Sequence, residues 1–228
     1  MGTAIALYQT TVGKKAVMAV TGVIWFGYVI AHMIGNLLVF AGPGAINEYS
    51  AFLHATPVLL WGARLVLITA LVGHIVASTE LTLRNLDARP AGYARRDDVV
   101  TSYAARTMIW SGPILLLFII YHLAHLTLGV APGHPYDSHH VYNNLVLGFR
   151  IPWVTATYVA AMAALALHLH HGAWSFFQTL GVNHPRYDDL RRRFATVMTV
   201  VIVLGFLSVP VAVMTGVLRP VSEAVAGH

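Results

Sequence analysis

Histidine carries the chemistry of this sequence. Thirteen histidines stand against nine Asp plus Glu in 228 residues. Seven of them, His32, His74, His122, His125, His168, His170 and His171, fall inside long apolar segments. An ionisable side chain there is costly and marks a functional site by default. Neutral imidazole can serve as a proton carrier, a hydrogen-bonding group or a transition-metal ligand. Cysteine is absent, which excludes disulfides, thiolate-held zinc, iron–sulfur clusters and cysteine nucleophiles in this chain.

The elements that must position these side chains are membrane spans. With 57% apolar and only 10% charged residues, and a mean hydropathy of +0.67, the chain is not an ordinary soluble domain. Five segments have the length a bilayer requires, about 16–40, 57–83, 107–130, 151–179 and 194–218. Four of them carry no Lys, Arg, Asp or Glu, and the second carries only Arg64 and Glu80. Pro152 sits at a first helical turn, while Pro113 and Pro210 are expected to kink their spans locally. Residues 1–12 do not read as a cleaved signal and are expected to form a short interfacial helix before Lys14 and Lys15. The expectation is an all-α integral membrane protein of one domain. Segments 41–56 and 131–150, rich in Gly-Pro turns and aromatics, read as loops forming an interfacial cap.

The net charge of +5 does not point to nucleic acid, because the bases flank the spans and read as topology signals. One side collects Lys14, Lys15, Arg84, Arg89, Arg95, Arg96, Arg106, Arg186 and Arg191 to Arg193; the other has Arg150 and Arg219. The positive-inside rule then places the N-terminus in the cytoplasm and the C-terminus outside. The basic face is suited to anionic lipid or a soluble partner, or serves topology alone.

Topology sets depth. His32 lies eight residues before Phe40 and His122 eight before Val130, so both sit about 12 Å below the outer edge at the helical rise. His74 is nine residues from Leu83 and His168 eleven from Thr179, about 13 to 17 Å from the inner edge. Four antiparallel helices thus offer two histidine pairs at two levels, an arrangement suited to two bis-histidine haems held by the first four helices. Gly35, Gly73 and Gly172 near the ligands either let a porphyrin approach or serve close helix packing. His125 and His171 follow their neighbours by three residues, so either member of each doublet is placed to ligate. His125, nearer the outer edge, also suits a haem propionate or a quinone. Competing readings are imidazoles bonded to carbonyls or hydroxyls, a haem-free proton channel, and a metal transporter. The last would mix acids, Met or Cys along its path, and Glu80 is the only acid in a span.

The fourth span reads His168-Leu-His-His-Gly-Ala-Trp-Ser-Phe-Phe-Gln-Thr-Leu-Gly181. With Tyr121-His-Leu-Ala-His-Leu, the stretch Arg64 to His74 and His32-Met-Ile-Gly-Asn, it resembles the single-chain, five-helix, di-haem cytochrome b anchor of succinate dehydrogenases and fumarate reductases. The resemblance runs from about Thr10 to Gly216. It implies His32 and His122 as iron ligands of an outer haem b, and His74 and His168 of an inner one, with His125 an extra. It also implies a flavoprotein and an iron–sulfur partner on the cytoplasmic face. Electrons from succinate oxidation, a step of the tricarboxylic acid cycle, would then reach a membrane quinone through both haems, menaquinone being commoner than ubiquinone for this type. The nearest rival is the di-haem anchor of a hydrogenase or formate dehydrogenase.

Three further groups have candidate roles. Arg64, ten residues outward of His74, reaches the outer level, where a guanidinium can bind a propionate or polarise a quinone carbonyl. Arg106 is placed to do the same for the inner haem. Glu48, with Tyr49 and His54 nearby, is a candidate proton carrier to an outer quinone; the competing reading is a solvated carboxylate. Trp61, Trp110, Trp153 and Trp174 lie near span ends and read as interfacial anchors.

Overall fold

The computed structural model describes residues 3–88, 103–130 and 133–221. Among them every regular element is helical. A short helix, α1 (Thr3–Tyr8), precedes α2 (Thr11–Leu37), which is started by Thr10: its hydroxyl accepts from the Gly13 N–H at 2.9 Å. A 3₁₀ turn (Leu38–Ala41) extends α2 to Gly42, whose φ of +105° ends the helix in a conformation few other residues adopt. Pro43, Pro57 and Pro152 then open α3 (Pro43–Ala55), α4 (Pro57–Asp87) and α7 (Pro152–Thr179), each supplying the fixed φ of a first turn.

Helix α5 (Tyr103–His122) passes through Pro113 and ends in one π turn, Leu123–Thr127, where Leu128 N–H bonds back to the Leu123 carbonyl at 2.9 Å. Helix α6 (Val141–Phe149) follows, and α8 (Asp188–Met214) opens with Asp188 and Asp189 in the turn where the helix dipole favours anions.

Five of these helices, α2, α4, α5, α7 and α8, are long and apolar enough to cross a membrane. Their outward faces carry exposed Leu65, Ile68, Trp110, Leu117 and Leu204, a surface that suits lipid and not water. Inside, α2 packs on α4, α7 and α8, and α7 lies between α5 and α8.

One expectation needs correction. The segments read as loops carry helices: α3 fills most of 41–56, α6 covers 141–149, and the two lie against each other across one end of the bundle. Asn47 accepts the Tyr142 N–H at 3.0 Å, and Asn143 pairs with both polar groups of the Val221 backbone. Helix α6 is buried along Tyr142, Leu145, Val146 and Phe149, which join Val39, Ile46, Val154 and Val209 in the largest apolar core of the chain. This is the capped end.

At the opposite, basic end two of the bases are drawn into the fold. Lys14 is 3% exposed and ion-paired with Glu80, which also accepts from the Tyr8 hydroxyl. Arg191, also 3% exposed, bonds the Val182 carbonyl and pairs with Asp188. These two bases staple helices as well as carrying charge. Arg89, Arg95 and Arg96 lie outside the described residues.

Candidate functional site

Two pairs of histidines face one another inside the bundle. His32 on α2 and His122 on α5 have ring centroids 5.7 Å apart, at right angles. His74 on α4 and His168 on α7 are 6.2 Å apart. The first pair lies toward the capped end and the second toward the basic end, each joining two helices. Among the described residues no group of three or more His, Cys, Asp or Glu is placed to hold an ion, so the arrangement is one of pairs.

What aims three of the four rings is a hydroxyl on a neighbouring helix. Thr21 Oγ lies 3.1 Å from His74 Nδ1, while its own proton is engaged by the Val17 carbonyl at 2.7 Å. The hydroxyl can donate only once, so His74 Nδ1 carries a proton and donates to it, which leaves the Nε2 electron pair free. Ser111 Oγ stands 3.3 Å from His168 Nδ1, and Tyr158 Oη 3.2 Å from His122 Nδ1. His32 is held by rings: Tyr28 stacks on it at 5.4 Å and Phe206 closes on it at 6.0 Å. Thr21, Ser111 and Tyr158 were not legible as site residues, since an isolated hydroxyl in an apolar span has no sequence signature.

A cleft of about 140 Å³ opens beside the first pair, lined by His32, His122, Asn36 and Asn144 together with Leu126 and Val141. At the second pair, His171 Nδ1, three residues beyond His168, is buried with no hydrogen-bond partner, as is Trp174 Nε1 one turn further on. Gly172 faces open space, Gly35 is closed by Tyr49 at 2.9 Å, and a methyl group at Gly73 would meet Thr21 at an ordinary 3.5 Å. Of the three glycines, Gly35 is the one that packing requires, and Gly172 leaves room. Gly22, not singled out from the sequence, lets α2 run past the His74 ring, with 3.6 Å to a side chain built there.

His125 is 2% exposed and belongs to a different set of contacts from His122. Its Nδ1 shares Tyr158 Oη at 3.0 Å, and its Nε2 meets His134 Nε2 at 3.1 Å. His134 in turn reaches the Pro135 carbonyl through Nδ1 at 2.8 Å. His170 points away to Thr196 on α8 at 3.3 Å.

The remaining candidates lie apart. Arg64 rests its guanidinium over Trp61 at 4.8 Å, giving that tryptophan a partner beyond the lipid interface. Glu48 is exposed on α3, and the nearby His54 bonds the Ser50 carbonyl of its own helix at 2.8 Å. Arg106 is exposed near the start of α5, one and a half helical turns before Ser111. Trp110 and Trp153 are exposed, while Trp174 lies under Arg192 at 5.6 Å. No family model, no curated protein and no solved structure matches this chain.

Proposed function

We propose that this chain is the di-haem cytochrome b anchor of a succinate:quinone oxidoreductase, seated in the cytoplasmic membrane with its basic end inward. The observation that carries the reading is the two inter-helix histidine pairs, three of whose four members are held through Nδ1. That leaves Nε2 for a ligand, as is usual when the other nitrogen of a metal-binding imidazole is hydrogen-bonded. The ring centroids are 5.7 and 6.2 Å apart, so the two members of each pair could hold one metal in common. The free space at Gly172 and the unpaired His171 Nδ1 and Trp174 Nε1 suit a bulky group with polar substituents near the second pair.

Bound haem b supplies one-electron transfer at each level. The chain supplies the rest. Burial of four neutral imidazoles sets the ligand field, and Thr21, Ser111 and Tyr158 hold three of their planes. Asn36 offers a polar contact in the cleft at the capped end, where a quinone headgroup, menaquinone before ubiquinone, would be oriented; the Asn144 amide beside it is held by both polar groups of the Asp137 backbone. Arg64 stays a candidate for that headgroup or a propionate, Arg106 for the inner haem and Glu48 for proton delivery. A flavoprotein and an iron–sulfur subunit would dock at the basic end and carry out the dicarboxylate chemistry.

The test is spectroscopic. The full chain purified after expression with a haem supply is expected to show a low-spin bis-histidine b-type spectrum at about two haems per chain. With the partner subunits present, succinate is expected to reduce both. Folded but colourless protein overturns the reading.

A further inference from the structure

The contacts around His125 form an unbroken line from the surface loop to the first histidine pair, and with one proton on each ring the Pro135 carbonyl at its outer end sets the direction of every bond in it. That carbonyl only accepts, so His134 Nδ1 carries the proton. His134 in this form offers a bare Nε2, and His125 Nε2 is the donor at 3.1 Å. Neutral His125 is left with a bare Nδ1, which takes the single proton of Tyr158 at 3.0 Å. Tyr158 Oη can then only accept from His122, which places a proton on His122 Nδ1 and leaves its Nε2 electron pair free.

A second observation shows that this line is built into the packing. Gly148 on α6 is buried, and a methyl group there would come within 2.8 Å of both Cε1 and Nε2 of His125 and 3.2 Å of His134 Nε2. The backbone of α6 is thus the seat on which the two rings meet, and only glycine leaves room for them.

We propose that His134, His125 and Tyr158 are positioning residues that lock His122 as its Nδ1–H tautomer with Nε2 toward His32, so that a loop outside the spans governs the electronic character of the first pair. This rests on the reading of that pair as iron ligands. Donation from a ligand's far nitrogen raises its basicity and stabilises the oxidised metal. Among the described residues no such line is recorded at the second pair; its hydroxyls bond Val17 and Met108 within the spans.

The tautomers can be read directly, without haem, from nitrogen-15 chemical shifts of histidine-labelled full chain in lipid bilayers. His122 is expected as the Nδ1–H form and His125 as the opposite, Nε2–H form. Tyr158→Phe is expected to abolish the preference at His122. Finding both histidines in one tautomer, or His122 as Nε2–H, overturns the proposal. In haem-loaded chain, redox titration adds an independent readout: Tyr158→Phe is expected to raise the midpoint of one haem and leave the other in place. Gly148→Ala, which removes no polar group, is expected to give a smaller shift of the same haem in the same direction. Unchanged midpoints in both variants, or equal shifts of both haems, overturn the proposal. A chain that takes up no haem removes the proposed function and leaves the line of bonds to be decided by the tautomers.

Discussion

The two ends of the bundle solve one problem differently. At the capped end, two amphipathic helices, α3 and α6, fold over the spans and bring a conventional apolar core with them. The first histidine pair sits beneath that core, tied to it through Tyr158, itself packed on Phe149 at 4.8 Å and Phe118 at 5.0 Å. At the basic end the spans are joined by polar contacts, Lys14 of α2 to Glu80 of α4 and Arg191 of α8 to the Val182 carbonyl beyond α7, and the second pair meets hydroxyls of adjacent spans. One site depends on a folded lid; the other depends on helices that meet in any case. Changes to the lid are therefore expected to reach the first pair alone.

The largest test of this contrast is loss of a cofactor. His74→Ala or His168→Ala is expected to remove one and the same haem, and His32→Ala or His122→Ala the other, each lowering the haem content from two to one per chain. If the His32 and His74 variants lost a common haem, the division into two ends would be wrong.

Next in size, Phe149→Ala deletes a buried ring of the capped core and should cost about 3 kcal/mol or more. Thermal unfolding in detergent is expected to show the loss, with the spectrum of the second haem unaffected. At the other end, Glu80→Gln leaves the sealed Lys14 ammonium without its counter-charge and is expected to lower the unfolding temperature. The double change K14M/E80L removes both charges and is expected to recover most of it; failure to recover would give the pair a role beyond neutralisation.

The smallest effect is expected at Asp137, in the loop that leads into α6. Its carboxylate accepts the His139 N–H at 2.8 Å and the His140 Nδ1–H at 2.7 Å, in that order of influence, and is held below the usual carboxylate range. A pKa depressed in the folded state stabilises above the unfolded value, and that contribution is lost as pH falls through the folded one. Asp137→Asn is therefore expected to lower stability slightly near neutral pH and not at all in strong acid, as pH-resolved unfolding of the two proteins would show.

Much of this was legible in the sequence, for physical reasons. A span must be about 20 apolar residues long, so five were visible, although the last begins at Asp188 and not near 194 because its first turn is amphipathic. Fixed helical rise made the levels of His32, His74, His122 and His168 calculable from numbering alone. Helices α3 and α6 escaped because α3 opens on a Gly-Pro that resembles a turn, α6 follows a polar stretch with no helix-start signal, and both are short for periodicity to speak. The partners Thr21, Ser111 and Tyr158 escaped because rotational phase between helices, unlike depth, is set by packing. His134 lies in a loop with no signature of its own, and its partner His125 becomes visible only where α6 seats the two rings on Gly148.

The π turn at Leu123–Thr127 has a consequence of its own. An α-helix advances about 100° per residue, and a wider turn holds one residue more without lengthening the helix in proportion. In it His122 and His125 come to address one phenolic oxygen, and Gly129, at φ +63°, lies against the ring of Tyr136, where a side chain would collide at 2.3 Å. Length here is a phase angle: a one-residue deletion between the two histidines, with every side chain type kept, would turn His125 away from Tyr158 while leaving span, hydropathy and composition almost untouched. In this chain the count of residues after His122 carries as much information as their identity.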